Sequence, residues 1–107
     1  MTIRYKNAKT DLTTTNATDV FSVPNATTAV IKSILVSEDS GNADTITLTL
    51  TDSASAIFSL FKVKAVSANT TVELLTAPLV VAESEKITAQ AATANRLHVV
   101  VSYMEIS

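Results

Sequence analysis

Apolar and polar residues alternate most strictly over Asp44–Asp52, which reads DTITLTLTD. Ile46, Leu48 and Leu50 face one way, and Thr45, Thr47, Thr49 and Thr51 face the other. Period two predicts a strand with one dry and one wet face. Further strand-like runs recur about every ten to twelve residues. They lie at Thr2–Asn7, Asp19–Val23, Thr28–Glu38, Ala56–Val66, Thr71–Leu75, Pro78–Ala82, Lys86–Ala91 and Arg96–Ile106. Turn chemistry separates them. Pro24-Asn25 fixes one φ and removes a backbone donor. Asp39-Ser40-Gly41-Asn42 holds the only glycine and predicts a hairpin. Thr10–Thr18 is polar and threonine-rich, and reads as a loop or an irregular edge. Strands follow one another with no helical insert, so parallel βαβ units are not expected. The pattern predicts a single all-β domain over residues 1–107. Its form is an antiparallel β-sandwich or jelly roll of about eight strands.

Three runs depart from clean alternation. Thr28–Glu38 carries Ala29, Ile31 and Leu35 on one face and Val30, Ile34 and Val36 on the other. In Ala56–Val66, strict alternation puts Phe58 and Leu60 with Lys62 and Lys64, and Phe61 and Val63 opposite. Arg96–Ile106 sets Leu97, Val99, Val101 and Tyr103 against His98, Val100, Met104 and Ile106. A two-layer sandwich has one dry interior, so a strand apolar on both faces calls for a second cover. A loop or another copy of the chain can supply it. Phe58, Leu60, Val100, Met104 and Ile106 are the candidate contacts in a homo-oligomer.

Composition sharpens the fold class and removes most chemistry. The 17 Thr, 12 Val and 7 Ile are β-branched, stiff at χ1 and suited to a pleated surface. With one Gly in 107 residues, Asn and Asp are expected to make the turns. No cysteine is present, so disulfides, thiolate metal sites and cysteine nucleophiles are excluded. The one histidine, His98, sits inside a predicted strand and reads as structural. Glu38-Asp39 and the Glu83/Glu85 pair fall in predicted turns and read as solvated. No G-x-S-x-G elbow or glycine-rich phosphate loop occurs. These observations predict a non-enzyme that needs no cofactor or metal. A net charge of -2 leaves no electrostatic footprint for nucleic acid. The polar N-terminus lacks the apolar core of a signal peptide, and no run approaches a membrane span. Synthesis in the cytoplasm without secretion is the expectation. Arg4, Tyr5 and Lys6 form the one basic, aromatic cluster, read as a tether to an acidic partner surface. Residues 1–18 are expected to form an extended N-terminal arm, ordered by assembly over its polar part.

The opening IRYKNA, the stretch VPNATTAVIKSILVS, ANTTVELL before PLVV, and the ending ITAQAATANRLHVVVSYMEIS span Ile3 to Ser107. In style and order these segments resemble small virion proteins of tailed bacteriophages, especially those of marine phages. The resemblance implies a β-sandwich structural protein of the virion. Its first expectation is a capsid cement or decoration protein, a trimer by preference, clamping major capsid proteins. The alternative is a neck or tail subunit, such as an adaptor or fibre base. A carbohydrate-binding jelly roll ranks lower, because it needs exposed aromatic side chains.

Overall fold

The computed structural model describes residues 1–107 and contains nine strands and no helix. They are β1 (Ile3–Leu12), β2 (Thr18–Ser22), β3 (Thr28–Glu38), β4 (Asp44–Thr51) and β5 (Ile57–Val66). β6 (Thr71–Glu73), β7 (Leu79–Val81), β8 (Lys86–Ala91) and β9 (Leu97–Ile106) follow. The strands pair in nested antiparallel order: β4 with β5, β3 with β6 and β7, β2 with β8, and β1 with β9. The chain is thus one long hairpin, bent at the β4–β5 turn and rolled up with its legs still paired. Ladders β3–β9 and β4–β8 close the roll into two sheets. Sheet I has the order β1-β9-β3-β6, with β7 also on β3, and sheet II the order β2-β8-β4-β5. This is the jelly-roll arrangement, its sixth strand divided into β6 and β7 by the segment containing Pro78. The antiparallel sandwich expected from alternation is therefore the observed architecture.

The core lies between the sheets, and period-two patterning fills it. From sheet II, Ile46, Leu48 and Ile87 are fully buried, while Thr45, Thr47 and Thr49 lie outside, half-buried. From sheet I, Leu97, Val99 and Val101 are fully buried on β9. Each such side chain contributes about 1.5–3 kcal/mol by leaving water. Phe21 of β2 meets Tyr103 of β9 across the sandwich, with ring centroids 4.2 Å apart. Burial pushes the Tyr103 phenol up; nearby Lys6 opposes this and Glu105 adds to it.

β3 corrects the expectation of two apolar faces. A bulge between Ile31 and Ser33 inserts Lys32 as an extra residue against β9. The extra residue shifts the phase, as a one-residue slip must. Ala29 and Ile31 point inward before the bulge, and Ile34, Val36 and Glu38 after it. The apolar residues of strict alternation therefore share one interior, leaving only Val30 and Leu35 outside. The bulge frees the Ile34 amide, which donates to Glu73 Oε2 at 2.8 Å, and the Ser33 hydroxyl donates to Glu73 Oε1. Burial alone would raise the Glu73 carboxyl; the Ser33 hydroxyl and the Ile34, Leu75 and Leu74 amides outweigh it and lower it.

β5 departs in the same way. Two register shifts against β4 bring Phe58 opposite Leu50 and Phe61 opposite Leu48, on one side of the sheet rather than two. Val63 takes φ 52°, and its amide donates to Thr47 Oγ1 at 3.1 Å. The N-terminal expectation also changes. Ile3–Leu12 is not a free arm: it pairs with β9 residue by residue, and Leu12 is fully buried. Only Thr13–Ala17 is loop, because Leu12 anchors the polar stretch before it. Turns use more than Asn and Asp. Of six non-glycine residues at positive φ, two are asparagines (Asn69 and Asn95), the others being Ala26, Ser55, Val63 and Ser84.

Candidate functional site

The sequence places a contiguous set of its remaining apolar residues on the outer face of sheet I, while Ile57, Phe58 and Val63 stay exposed on the edge strand β5 of sheet II. In the β1–β9 ladder Tyr5 lies opposite Met104; in β3–β9 Met104 lies opposite Val30; in β3–β7 Val30 lies opposite Val80. Tyr5, Met104, Val30 and Val80 therefore form one cross-strand row reaching both edges of the sheet. Neighbouring strands lie about 4.8 Å apart, so the row is roughly 14 Å long. Ile3 opposite Ile106 extends it toward the chain termini. Tyr5 is 80% exposed, Val80 58% and Ile3 48%. Ser33, Ser102 and Asn7 then interpose a polar row, beyond which Val100 and Leu35 pair.

The structure does not bring all expected contact residues together. Val100, Met104 and Ile106 share the outer face of β9. Phe58 and Leu60 belong to β5, in the other sheet. Leu60 sits at a register shift, packs against the core, and lines a groove with Leu74, Leu75 and Leu79. Phe58 stays 55% exposed at the rim of the sandwich. Arg4, Tyr5 and Lys6 divide as alternation requires. Tyr5 joins the apolar row, while Arg4 and Lys6 project to the opposite side, where Lys6 Nζ meets Glu105 Oε1 at 3.1 Å. Sequence reasoning missed Ile3, Val30 and Val80 as members of the face. Val30 was hidden by the bulge, and Val80 by a strand too short to show a period.

The outer face of sheet II is a polar depression of about 810 Å³. Thr49, Thr51, Asp52, Lys86, Thr88 and Gln90 line it, and no aromatic side chain does. Asp19 Oδ1 lies 3.3 Å from Lys86 Nζ and accepts from the Thr88 hydroxyl at 3.3 Å. A sugar ring entering this depression would find hydrogen-bonding groups but nothing to stack on.

At one end of the roll, Glu38 corrects its reading as a solvated turn residue: it is 1% exposed. Its Oε2 accepts from the Ser40 amide at 2.9 Å and from the Ser40 hydroxyl. Its Oε1 accepts from the Gly41 and Asn69 amides at 3.1 and 3.2 Å. One carboxylate thus ties the β3–β4 turn to the β5–β6 turn. Burial raises its pKa, but these four donors outweigh that and hold it at about 2. Nearby, His98 Nε2 lies 3.3 Å from Asp11 Oδ1, and its Nδ1 lies 3.7 Å from Asp39 Oδ2. No group of three or more His, Asp or Glu side chains has the geometry to hold a metal ion.

No protein-family model matches the chain, and no curated protein matches it. Among solved structures it is similar to a chain described under "Bacillus endospore appendages form a novel family of disulfide-linked pili". The superposition has a TM-score of 0.59 at 12% identity, and covers 99% of this chain and 88% of that one. At that identity the likeness is one of fold.

Proposed function

We propose that this chain is a non-enzymatic structural subunit of a phage virion, a capsid decoration protein that clamps the major capsid protein. The observation that carries the reading is the apolar row Tyr5–Met104–Val30–Val80. It crosses sheet I from edge to edge on a face that the monomer leaves uncovered. Repeated assembly needs such a face, because each copy must bury the same patch at every equivalent position. The resemblance of the chain's segments to small phage virion proteins supports the same reading. The fold is one shared with a chain described under disulfide-linked pili, so it is compatible with a structural role. The linkage differs: the solved relative belongs to disulfide-linked pili, and this chain has no cysteine. Its association therefore rests on surface complementarity, with a trimer as the expected unit.

Copy number per purified particle tests this, measured by quantitative mass spectrometry against the major capsid protein. A ratio near one, the equivalence expected of an icosahedral shell, is the predicted result. A count on the order of a dozen, matching a closed ring, would move the subunit to the neck or tail. Absence from the particle would overturn the reading.

A further inference from the structure

A sheet edge carries unpaired backbone groups, and folded proteins block such edges by shortening, bulging or breaking the strand, or by charging it, especially with Lys. Three of the four edge positions here are blocked. β2 is five residues long and bulged between Asp19 and Phe21. β5 has two register shifts, a positive φ at Val63, and the Val63 amide already bonded to Thr47. β6 and β7 have three residues each and are separated by the Pro78 segment. β1 is neither short, bulged nor broken: its ten residues pair with β9 without a single shift. Its only guard is therefore its charge, which repels another basic strand but not an acidic one.

The hydrogen-bond phase of β1 follows from its end. The Thr2 amide donates to the Ser107 carbonyl at 2.7 Å, and the Ser107 amide donates to the Thr2 carbonyl at 2.9 Å. Antiparallel ladders alternate bonded and non-bonded pairs, so the even residues of β1 bond β9. Ile3, Tyr5, Asn7 and Lys9 direct their N–H and C=O groups to the open side. The edge is also basic. Arg4, Lys6 and Lys9 outnumber Asp11, and of the three only Lys6 has an ion-pair partner.

We infer that β1 is a strand-addition site for an extended acidic segment of another protein, which joins sheet I as its next strand. Alternation fixes the pattern of that segment. Residues beside Ile3 and Tyr5 continue the apolar row, and residues beside Arg4, Lys6 and Lys9 are acidic. A second copy is a poor occupant. Pairing β1 with β1 opposes two strands of net positive charge, and no other edge of the chain offers a regular strand of matching length. The inference holds whatever assembly the chain serves.

The probe is a nine-residue peptide with valine set opposite Ile3 and Tyr5 and glutamate opposite Arg4, Lys6 and Lys9, titrated into the isotope-labelled full chain. The expected result is amide shifts and slowed exchange at Ile3, Tyr5, Asn7 and Lys9. A control peptide with lysine for each glutamate should bind at least about fivefold more weakly, as three exposed charge pairs allow. Asn7→Pro removes one outward donor and no β1–β9 bond, and should abolish binding. Should that variant fail to fold, Lys9→Glu should weaken binding instead. Equal affinity for both peptides, shifts centred on β2 or β5, or unchanged binding by whichever of these variants folds would overturn the site. Concentration-dependent shifts at the same four amides without peptide would overturn the acidic partner in favour of a second copy.

Discussion

Sheet I and sheet II are built on the same pleat, yet the centres of their outer faces carry opposite chemistry. On sheet II, Thr49 lies opposite Thr88 on one side and Ser59 on the other, and Thr47 lies opposite Gln90. On sheet I, the corresponding cross-strand positions hold Tyr5, Met104, Val30 and Val80. Both faces do the same work for the fold, because only inward residues fill the sandwich. Outward residues of a strand are free to be chosen for what they meet. Over β4 and β8, sheet II carries what water asks for: hydroxylated and amide side chains that stay wet, with exposed Ile57 and Val63 confined to its edge strand β5. Sheet I carries what water does not ask for, and that contrast is the ground for proposing it as the assembly face.

The contrast depends on phase, so the most severe test breaks the phase. Deleting Lys32 would only remove the extra residue and leave both halves of β3 in phase. Inserting one alanine between Ile34 and Leu35, beyond the bulge, instead turns Val36 and Glu38 outward or forces the strand to slip. The expected loss is above about 4 kcal/mol, seen as the disappearance of a cooperative urea transition. A cooperative transition near the wild-type midpoint would show that the phase of β3 does not set the two faces.

A smaller effect is expected at the end of the roll. The Glu38 carboxyl is held at about 2 against an ordinary value of 4.5. A lowered folded-state pKa means that the unfolded chain binds the proton first, so stability falls as the medium becomes acidic. The Glu38 contribution is complete above about pH 4.5 and is lost as pH falls toward 2. Glu38→Gln offers an amide nitrogen where the carboxylate accepted, and should lower the thermal midpoint at neutral pH. The gap between wild type and variant should narrow across that acid window. A constant gap would place the stabilisation elsewhere.

The smallest effect sharpens the comparison directly. Exchanging chemistry between the outer faces should leave the fold almost untouched. Thr49→Val and Val30→Thr should each shift stability by no more than about 0.5 kcal/mol in urea unfolding. A much larger loss at Val30 would make it a core residue and remove it from the exposed row.

Most of this architecture was readable from alternation, and its failures share one cause. β4 and β9 keep strict period two, and their inward and outward residues fall as the pattern predicts. β3 and β5 contain inserted residues, and nothing in the local sequence marks a bulge at Lys32 or Leu60. At Lys32 the freed Ile34 amide is met by Glu73, and the second irregularity of β5 is met by Thr47, which accepts from the Val63 amide. Bulges made β3 look two-faced and hid Val30 from the candidate face. The reading of Glu38 failed because a turn carboxylate looks alike in sequence whether solvated or closed over by a second loop. Met104 and Ile106 fall together on the outer face of β9 because β9 is regular. Phe58 and Leu60 lie apart from them because β5 belongs to the other sheet, which alternation within a strand does not reveal.

Sedimentation equilibrium of wild type, Met104→Asp and Thr49→Asp tests the central claim, that the outer face of sheet I is where copies meet. The account predicts a trimer for wild type and for Thr49→Asp, and a monomer with unchanged β-type circular dichroism for Met104→Asp. A monomeric wild type, or a trimer that survives a charge at Met104, would contradict it.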